Sequence, residues 1–299
     1  MEVIHSVTGM QKRAAGWQSG STMVGFVPTM GYLHEGHLSL LDIARKHSDL
    51  LVMSIFVNPT QFGEGEDYAR YPRDPDRDAA LASERGVDLI FSPPVAEMYP
   101  EGYSTYVEVE RLSDRLCGAS RPGHFRGVTT VVTKLFNIIR PDLAVFGQKD
   151  AQQAIILRRL VRDLNLDIEI LLGPIVRETD GLAMSSRNTY LSPSQREQAL
   201  CLSQGLQAAK KMVETGERDS NIIVEKIRSL ISEQPEVDED YVAVVDPENL
   251  QSLDQIDGMA LIAVAAYVGT TRLIDNIIVN NNGSHSLKIE DTSGDYHRS

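Results

Sequence analysis

Cysteine is nearly missing from this chain of 299 residues, which holds only Cys117 and Cys201. Two cysteines imply no disulfide framework and fit a reducing compartment. Long apolar runs are also lacking. No stretch approaches the ~18 apolar residues of a membrane span. The first residues carry Glu2, His5 and Lys12 with no apolar segment behind a basic start, so no secretory leader is expected. The cytoplasm is the expected location. Basic residues are the minority: 29 Lys and Arg against 42 Asp and Glu leave a formal charge of −13. General binding to nucleic acid or to an anionic membrane is therefore disfavoured, while a local cationic pocket for a phosphate is not. The remainder is ordinary globular material, 42% hydrophobic and 24% charged, enough for one large or two modest domains.

The pattern of apolar residues alternates between strand and helix. Val24–Met30 is an apolar run ending in a Pro-Thr-Met-Gly turn and predicts a buried strand. Leu40, Ile43, Ala44 and His47 fall at helical spacing, which predicts a helix over 37–47. Leu50–Val57 predicts a second buried strand, stopped by Asn58-Pro59. A β-α-β unit favours a parallel sheet. Further strands are expected at 87–91, 143–146 and 168–172. Helices are expected through Val128–Ile139 and over 151–164. Beyond Arg177 the character changes to helices at 194–215 and 222–231 and strands at 241–245, 260–267 and 272–279. The expected fold class is α/β with a parallel-sheet N-terminal domain at 1–175 and a smaller α+β domain with an antiparallel sheet at 176–283. A polar tail at 284–299 is expected to be disordered.

Four segments carry candidate chemistry. In Pro28–His37 a strand enters a turn and a helix leaves it, and helix N-terminal amides suit phosphate oxygens. Gly31 and Gly36 permit close approach, and His34 and His37 can reach one phosphate; as a bare pair they equally suit a metal or a helix cap. Asn58 and Gln61, leaving the next strand, offer neutral donors and acceptors for a small polar acid. In Phe146–Gln153 another strand ends at Gly147, Lys149 supplies a point charge, Asp150 can cap a helix, and Gln153 lies one helical turn on. In Val176–Asn188 two hydroxyls and Arg187 form an anion clamp on a Gly-containing loop. Asp74, Asp76 and Asp78 form either an outer region for Mg²⁺ or a solvated first helical turn. Arg126 either neutralises an anion or pins a helix start.

His34-Glu35-Gly36-His37 resembles the His-x-Gly-His element of the HIGH superfamily of nucleotidyl transferases and class I aminoacyl-tRNA synthetases. The longer string Pro28–His37, with Asn58-Pro59-Thr60-Gln61-Phe62, Tyr71-Pro72-Arg73, Gly123–Val128, Phe146–Gln153 and Met184-Ser185-Ser186-Arg187, resembles the pantothenate synthetase family. The synthetases' KMSKS lysine loop is replaced here by Met184–Arg187, which argues against a tRNA synthetase. The resemblance implies a Rossmann-like fold and ATP along Met30, Gly31, Tyr32, Leu33, His34, Glu35, Gly36 and His37. It extends that ATP site to Gly147, Gln148, Lys149 and Asp150, and to Val176, Met184, Ser185, Ser186 and Arg187. Gln61 would contact pantoate and β-alanine, Gln153 pantoate, and Asn58 and Tyr71 would lie at the substrates. The catalytic set implied is His34, His37, Lys149 and Arg187. Mg²⁺ with unassigned ligands and a homodimer are also implied. The implied reaction activates pantoate as an acyl-adenylate that β-alanine then attacks. A nucleotidyltransferase that leaves AMP or CMP on its product and a non-catalytic nucleotide-binding module are the rival readings.

Overall fold

The computed structural model describes residues 1–17 and 20–280, so the expected tail at 284–299 lies outside the described residues. The chain runs through β1 (Glu2–Ile4), α1 (Val7–Trp17), β2 (Val24–Thr29), α2 (Glu35–Lys46), β3 (Leu50–Ile55), α3 (Pro75–Glu84) and β4 (Leu89–Phe91). It continues through α4 (Val95–Met98), α5 (Cys117–Ser120), α6 (His124–Ile139), β5 (Leu143–Gly147), α7 (Ala151–Asp163) and β6 (Glu169–Gly173). These six strands form one sheet in the order β1-β4-β3-β2-β5-β6, and every pairing is parallel.

A parallel strand covered on both faces must be apolar almost throughout. Strand β2 shows how successive residues serve opposite faces. Phe26 packs edge-on against Phe136 of α6 at 6.4 Å, in a core shared with α1 and α7, while Val27 joins Leu41 and Ala44 of α2 in the other core. Helix α6 buries Val128, Val131, Val132, Leu135 and Ile139, the stripe its spacing predicted.

The later part adds α8 (Pro193–Glu214), α9 (Ser220–Ser232), β7 (Val237–Val245), β8 (Met259–Val268) and β9 (Thr271–Asn280). The three strands form a separate antiparallel sheet in that order. Helix α8 starts where expected: Ser192 Oγ accepts from Gln195 N–H at 3.2 Å, Gln195 Oε1 accepts from Ser192 N–H at 3.1 Å, and Pro193 occupies the first turn.

Several boundaries differ from the sequence reading. Strands β2 and β3 end at Thr29 and Ile55, and β4 begins at Leu89, because Gly86 at φ +71° turns the chain just before it. Strand β7 starts at Val237, ahead of the expected Tyr241, across a bulge between Glu239 and Tyr241. Neither β1 nor α1 was anticipated.

The sheet order has a switch point. Strands β2, β3 and β4 step away in one direction and β5 and β6 in the other, so the carboxyl ends of β2 and β5 border a crevice. Open α/β sheets bind ligands at such a place.

Candidate active site

The turn after β2 is held from below. Thr29 Oγ1 donates to Ser54 O at 2.8 Å and accepts from Gly31 N–H at 3.1 Å. Asp78 of α3, only 1% exposed, accepts from Tyr32 N–H and Leu33 N–H, both at 2.7 Å. Gly31 sits at φ +82° and Tyr32 at φ +50°, and a Cβ on Gly31 would come within 2.9 Å of Asp78 Oδ2. Glycine is therefore required there by both conformation and space. Of the acidic run, Asp74 caps α3 by accepting from Arg77 N–H at 3.2 Å, and Asp78 braces this turn.

His34 and His37 stack at the start of α2, ring centroids 4.0 Å apart. Gly36 lets the His34 ring fold over the helix start, since a Cβ would lie 2.8 Å from His34 Cε1. His37 Nδ1 accepts from His34 N–H at 3.3 Å, which leaves the ring proton on Nε2. Burial first, then the charge of Lys149, pushes His34 down to about 4. Burial, then His34 and Lys149, holds His37 well below the ordinary imidazole value. Both rings are therefore held neutral near pH 7, each keeping a single N–H. His34 Nδ1 is buried without a hydrogen-bond partner among the described residues. The Glu35 side chain points elsewhere, toward Arg85 at 3.1 Å.

After β3, Asn58 is 1% exposed and fully bonded. Its Nδ2 donates to Gln61 Oε1 at 2.9 Å and Gly127 O at 3.1 Å, and its Oδ1 accepts from Tyr99 OH at 2.8 Å. Gln61 Nε2 lies 3.5 Å from Met30 Sδ. Asn58 thus orients Gln61, the first two strand-end segments touch, and Gln61 is aimed before any ligand arrives.

After β5, Gly147 leads into a 3-10 turn, Gln148–Asp150, and then α7. Gln152 is turned inward, its amide bonded to Cys117 N–H, Leu112 O and Arg115 O. The loop after β6 is pinned by Met184 N–H to Val176 O at 3.0 Å. Ser186 Oγ donates to Tyr32 O at 3.3 Å, tying this loop to the first turn. Arg187 makes a bidentate pair with Asp67 at 2.8 Å and lies 6.0 Å from the ring centre of buried Tyr71.

These pieces enclose one basin of about 850 Å³. Met30, His37, Asn58, Gln61, Tyr71, Lys149, Asp150, Gln153, Ser185 and Arg187 line it. Gly31, Tyr32, Leu33, His34, Glu35, Gly36, Gly147, Gln148, Val176, Met184 and Ser186 belong to its supporting turns without lining it. Arg126, in the first turn of α6, is not in the wall; its guanidinium stacks on Tyr106 at 4.0 Å. Among the lining residues of that region that the sequence reading does not single out are Arg121 and His124, and their proximity to the Gly-His-Phe-Arg string is the available signal. Both contact Gln61 O, at 3.3 and 2.8 Å, and Arg121 also pairs with Glu66. Burial, then Arg121, pushes His124 down to about 4. Among the described residues no group of three or more His, Cys, Asp or Glu is arranged to hold a metal ion, and no helix is long and apolar enough to cross a membrane.

Comparison with known proteins gives a consistent picture. A family model described as pantoate-beta-alanine ligase matches residues 2–278. Pantothenate synthetase of Moorella thermoacetica is 54% identical over 282 residues, covering 94% of this chain and 100% of that protein. The pantothenate synthetase of Thermotoga petrophila is 57% identical over 279 residues, covering 93% and 100%. Among solved structures, pantothenate synthetase from Thermus thermophilus superposes with a TM-score of 0.88 at 47% identity, over 93% of this chain and 99% of that one. Pantoate-beta-alanine ligase from Francisella tularensis, complexed with beta-gamma ATP and beta-alanine, gives a TM-score of 0.77 at 31% identity, over 96% and 100%.

Proposed function

The chain belongs to the pantoate–β-alanine ligase family, and we propose that its basin joins pantoate to β-alanine at the expense of ATP, through a pantoyl-adenylate. One observation carries this reading: a single basin at the β2/β5 switch point is lined by His37 and Lys149 on the one hand and by Gln61 and Gln153 on the other. The Francisella tularensis relative, solved with beta-gamma ATP and beta-alanine, supports the same pair of ligands here.

A carboxylate is a poor acylating agent at neutral pH. In the first step a pantoate carboxylate oxygen attacks the α-phosphorus of ATP and pyrophosphate leaves. In the second the β-alanine amine attacks the acyl carbon and AMP leaves. Charge shifts onto the phosphate oxygens in the first step, where Lys149 supplies a compact cation and neutral His37 a hydrogen bond from Nε2. The orphaned His34 Nδ1 is a further polar atom that a nucleotide could satisfy. Arg187 adds charge once it shares or leaves Asp67. Gln61, braced by Asn58, and Gln153 orient the two acids, which lowers the entropic part of the barrier. Closure of the Met184–Arg187 segment would keep water from the adenylate.

Mg²⁺ is proposed as an ion carried by the triphosphate and water, the usual mode for this cation. Among the described residues no group of His, Cys, Asp or Glu forms a cage for it, so no step is assigned to protein-held metal. Asp150, whose carboxylate caps no helix, is the carboxylate closest in sequence to Lys149 that could reach such an ion. The division after Ile175 into a catalytic domain and a smaller covering domain, the cytoplasmic location and a homodimer are further proposals; sedimentation equilibrium tests the last.

Incubating the enzyme with ATP, Mg²⁺ and pantoate, with and without β-alanine, tests the function. Free AMP and pantothenate are expected only when β-alanine is present. A product that retains the nucleotide would support a nucleotidyltransferase instead.

A further inference from the structure

Asn276 lies on β9, opposite Ala263 of β8, and is 3% exposed. Its side chain is turned away from its own sheet. Nδ2 donates to the main-chain carbonyls of Gln148 and Lys149, both at 3.0 Å, and Oδ1 accepts from Gln148 Nε2 at 3.3 Å. Both amide protons and the amide oxygen are thereby used, as burial of such a group demands. The carbonyls it holds belong to the 3-10 turn that carries Lys149. Neither Gly147 at the start of that turn nor Asp150 at the start of α7 provides a side-chain capping bond.

The neighbouring residue works in parallel. Asp275 accepts two hydrogen bonds from Arg177, at 2.6 and 3.0 Å, and Arg177 also donates to Gly181 O at 3.1 Å. Asp275 Oδ1 further accepts from Asn276 N–H at 2.8 Å. One step of β9 therefore grips the Lys149 turn and the base of the Val176–Arg187 loop together.

We propose that Asn276 is a positioning residue for adenylate formation: its amide clamps the Gln148–Lys149 turn to the antiparallel sheet and so aims the Lys149 ammonium. Lysine carries its charge on a flexible stem, and only the direction in which its backbone launches it is under the fold's control. A misplacement of about 1 Å can cost ~10²-fold in rate. The inference rests on the phosphate role given to Lys149 above. The alternative is that Asn276 merely fastens the sheet to the first part of the chain.

The test is a double-mutant cycle. Asn276→Asp, which keeps the volume but loses the amide donors, is made alone and together with Lys149→Ala. Labelled pyrophosphate exchange into ATP with pantoate reads the first step, and discharge of supplied pantoyl-adenylate by β-alanine reads the second. Asn276→Asp is expected to slow exchange by about 10- to 100-fold and to leave discharge nearly unchanged. In the Lys149→Ala background it should change exchange by less than about twofold. Equal losses with and without Lys149, or a matching fall in both half-reactions, overturn the clamp. If Asn276→Asp does not fold, Asn276→Ala is measured in the same cycle; failure of both to fold assigns the residue to folding and likewise overturns it. If Lys149→Ala itself exchanges normally, the phosphate role of Lys149 falls and the clamp with it, whereas additivity on a crippled Lys149→Ala protein overturns the clamp alone.

Discussion

Arg187 and Asp67 are joined by two parallel hydrogen bonds, Nε to Oδ2 and Nη2 to Oδ1, each 2.8 Å long. Burial alone would raise the Asp67 carboxyl, but the guanidinium holds it below its ordinary value. The cation best shaped to grip a phosphate from the Met184–Arg187 segment is thus already committed to a carboxylate on the opposite loop. It can serve a nucleotide only by sharing or leaving that partner.

Removing the competitor should therefore favour the nucleotide. Asp67→Asn is expected to lower the KM for ATP by about two- to tenfold, because a larger fraction of molecules presents Arg187 ready to bind. Arg187→Ala should slow adenylate formation by about 10²- to 10³-fold. An ATP titration that shows unchanged or weaker affinity in the folded Asp67→Asn protein would count against this role.

His37→Ala is expected to slow pyrophosphate release by about 10²- to 10⁴-fold without loss of fold. The neutral Nε2–H donor also makes a finer distinction. His37→Gln retains a neutral donor and should keep at least about tenfold more activity than His37→Ala. Equal rates in the two variants would show that the ring acts through charge or packing.

The depressed histidines make stability depend on acid. His34 and His124 titrate at about 4 in the folded chain, and His37 is also held down. In the unfolded chain they titrate near 6.5, so between those values the unfolded state binds more protons. Their contribution is intact above pH 6.5 and is lost progressively as pH falls toward 4. Denaturant melts should show proton uptake on unfolding in that window, reduced in His124→Gln. A free energy of unfolding that stays flat from pH 7 to 4.5 would contradict the burial argument.

Asp78 braces the Gly31–Leu33 turn through two main-chain N–H groups. Asp78→Ala leaves both donors unpaired in a buried place and should cost about 1–3 kcal/mol of stability. It should also raise the KM for ATP more than that for β-alanine, since the turn starts the proposed nucleotide site. Steady-state kinetics with each substrate varied in turn separate the two; equal changes would point to a general loss of fold.

The central strands were legible because burial on both faces leaves a continuous apolar run, as in Leu50–Ile55, and because Asn58-Pro59 ends it visibly. Strand β1 was not: three residues, Glu2–Ile4, carry too little pattern. Helix α1 does carry a signal, with Met10, Ala14 and Trp17 buried at helical spacing on one face. For the candidate site, the strings around His37, Gln61, Lys149 and Arg187 could be picked out because each follows a strand end, and the resemblance supplied their roles. Their braces could not be read. Asp78, Asp67 and Asn276 act across 46, 120 and 127 residues of sequence, and no local period announces such partners. Arg126 drew attention for its charge, yet the ring of Tyr106 holds it outside the basin.

The central claim is that pantoate is activated as an adenylate before β-alanine attacks. Pantoate carrying oxygen-18 in its carboxylate tests this most directly. If a carboxylate oxygen attacks the α-phosphorus, one labelled oxygen must leave with AMP when the amine displaces it. Mass spectrometry of AMP from a complete reaction should therefore find one oxygen-18 per molecule, and AMP without the label would contradict the mechanism.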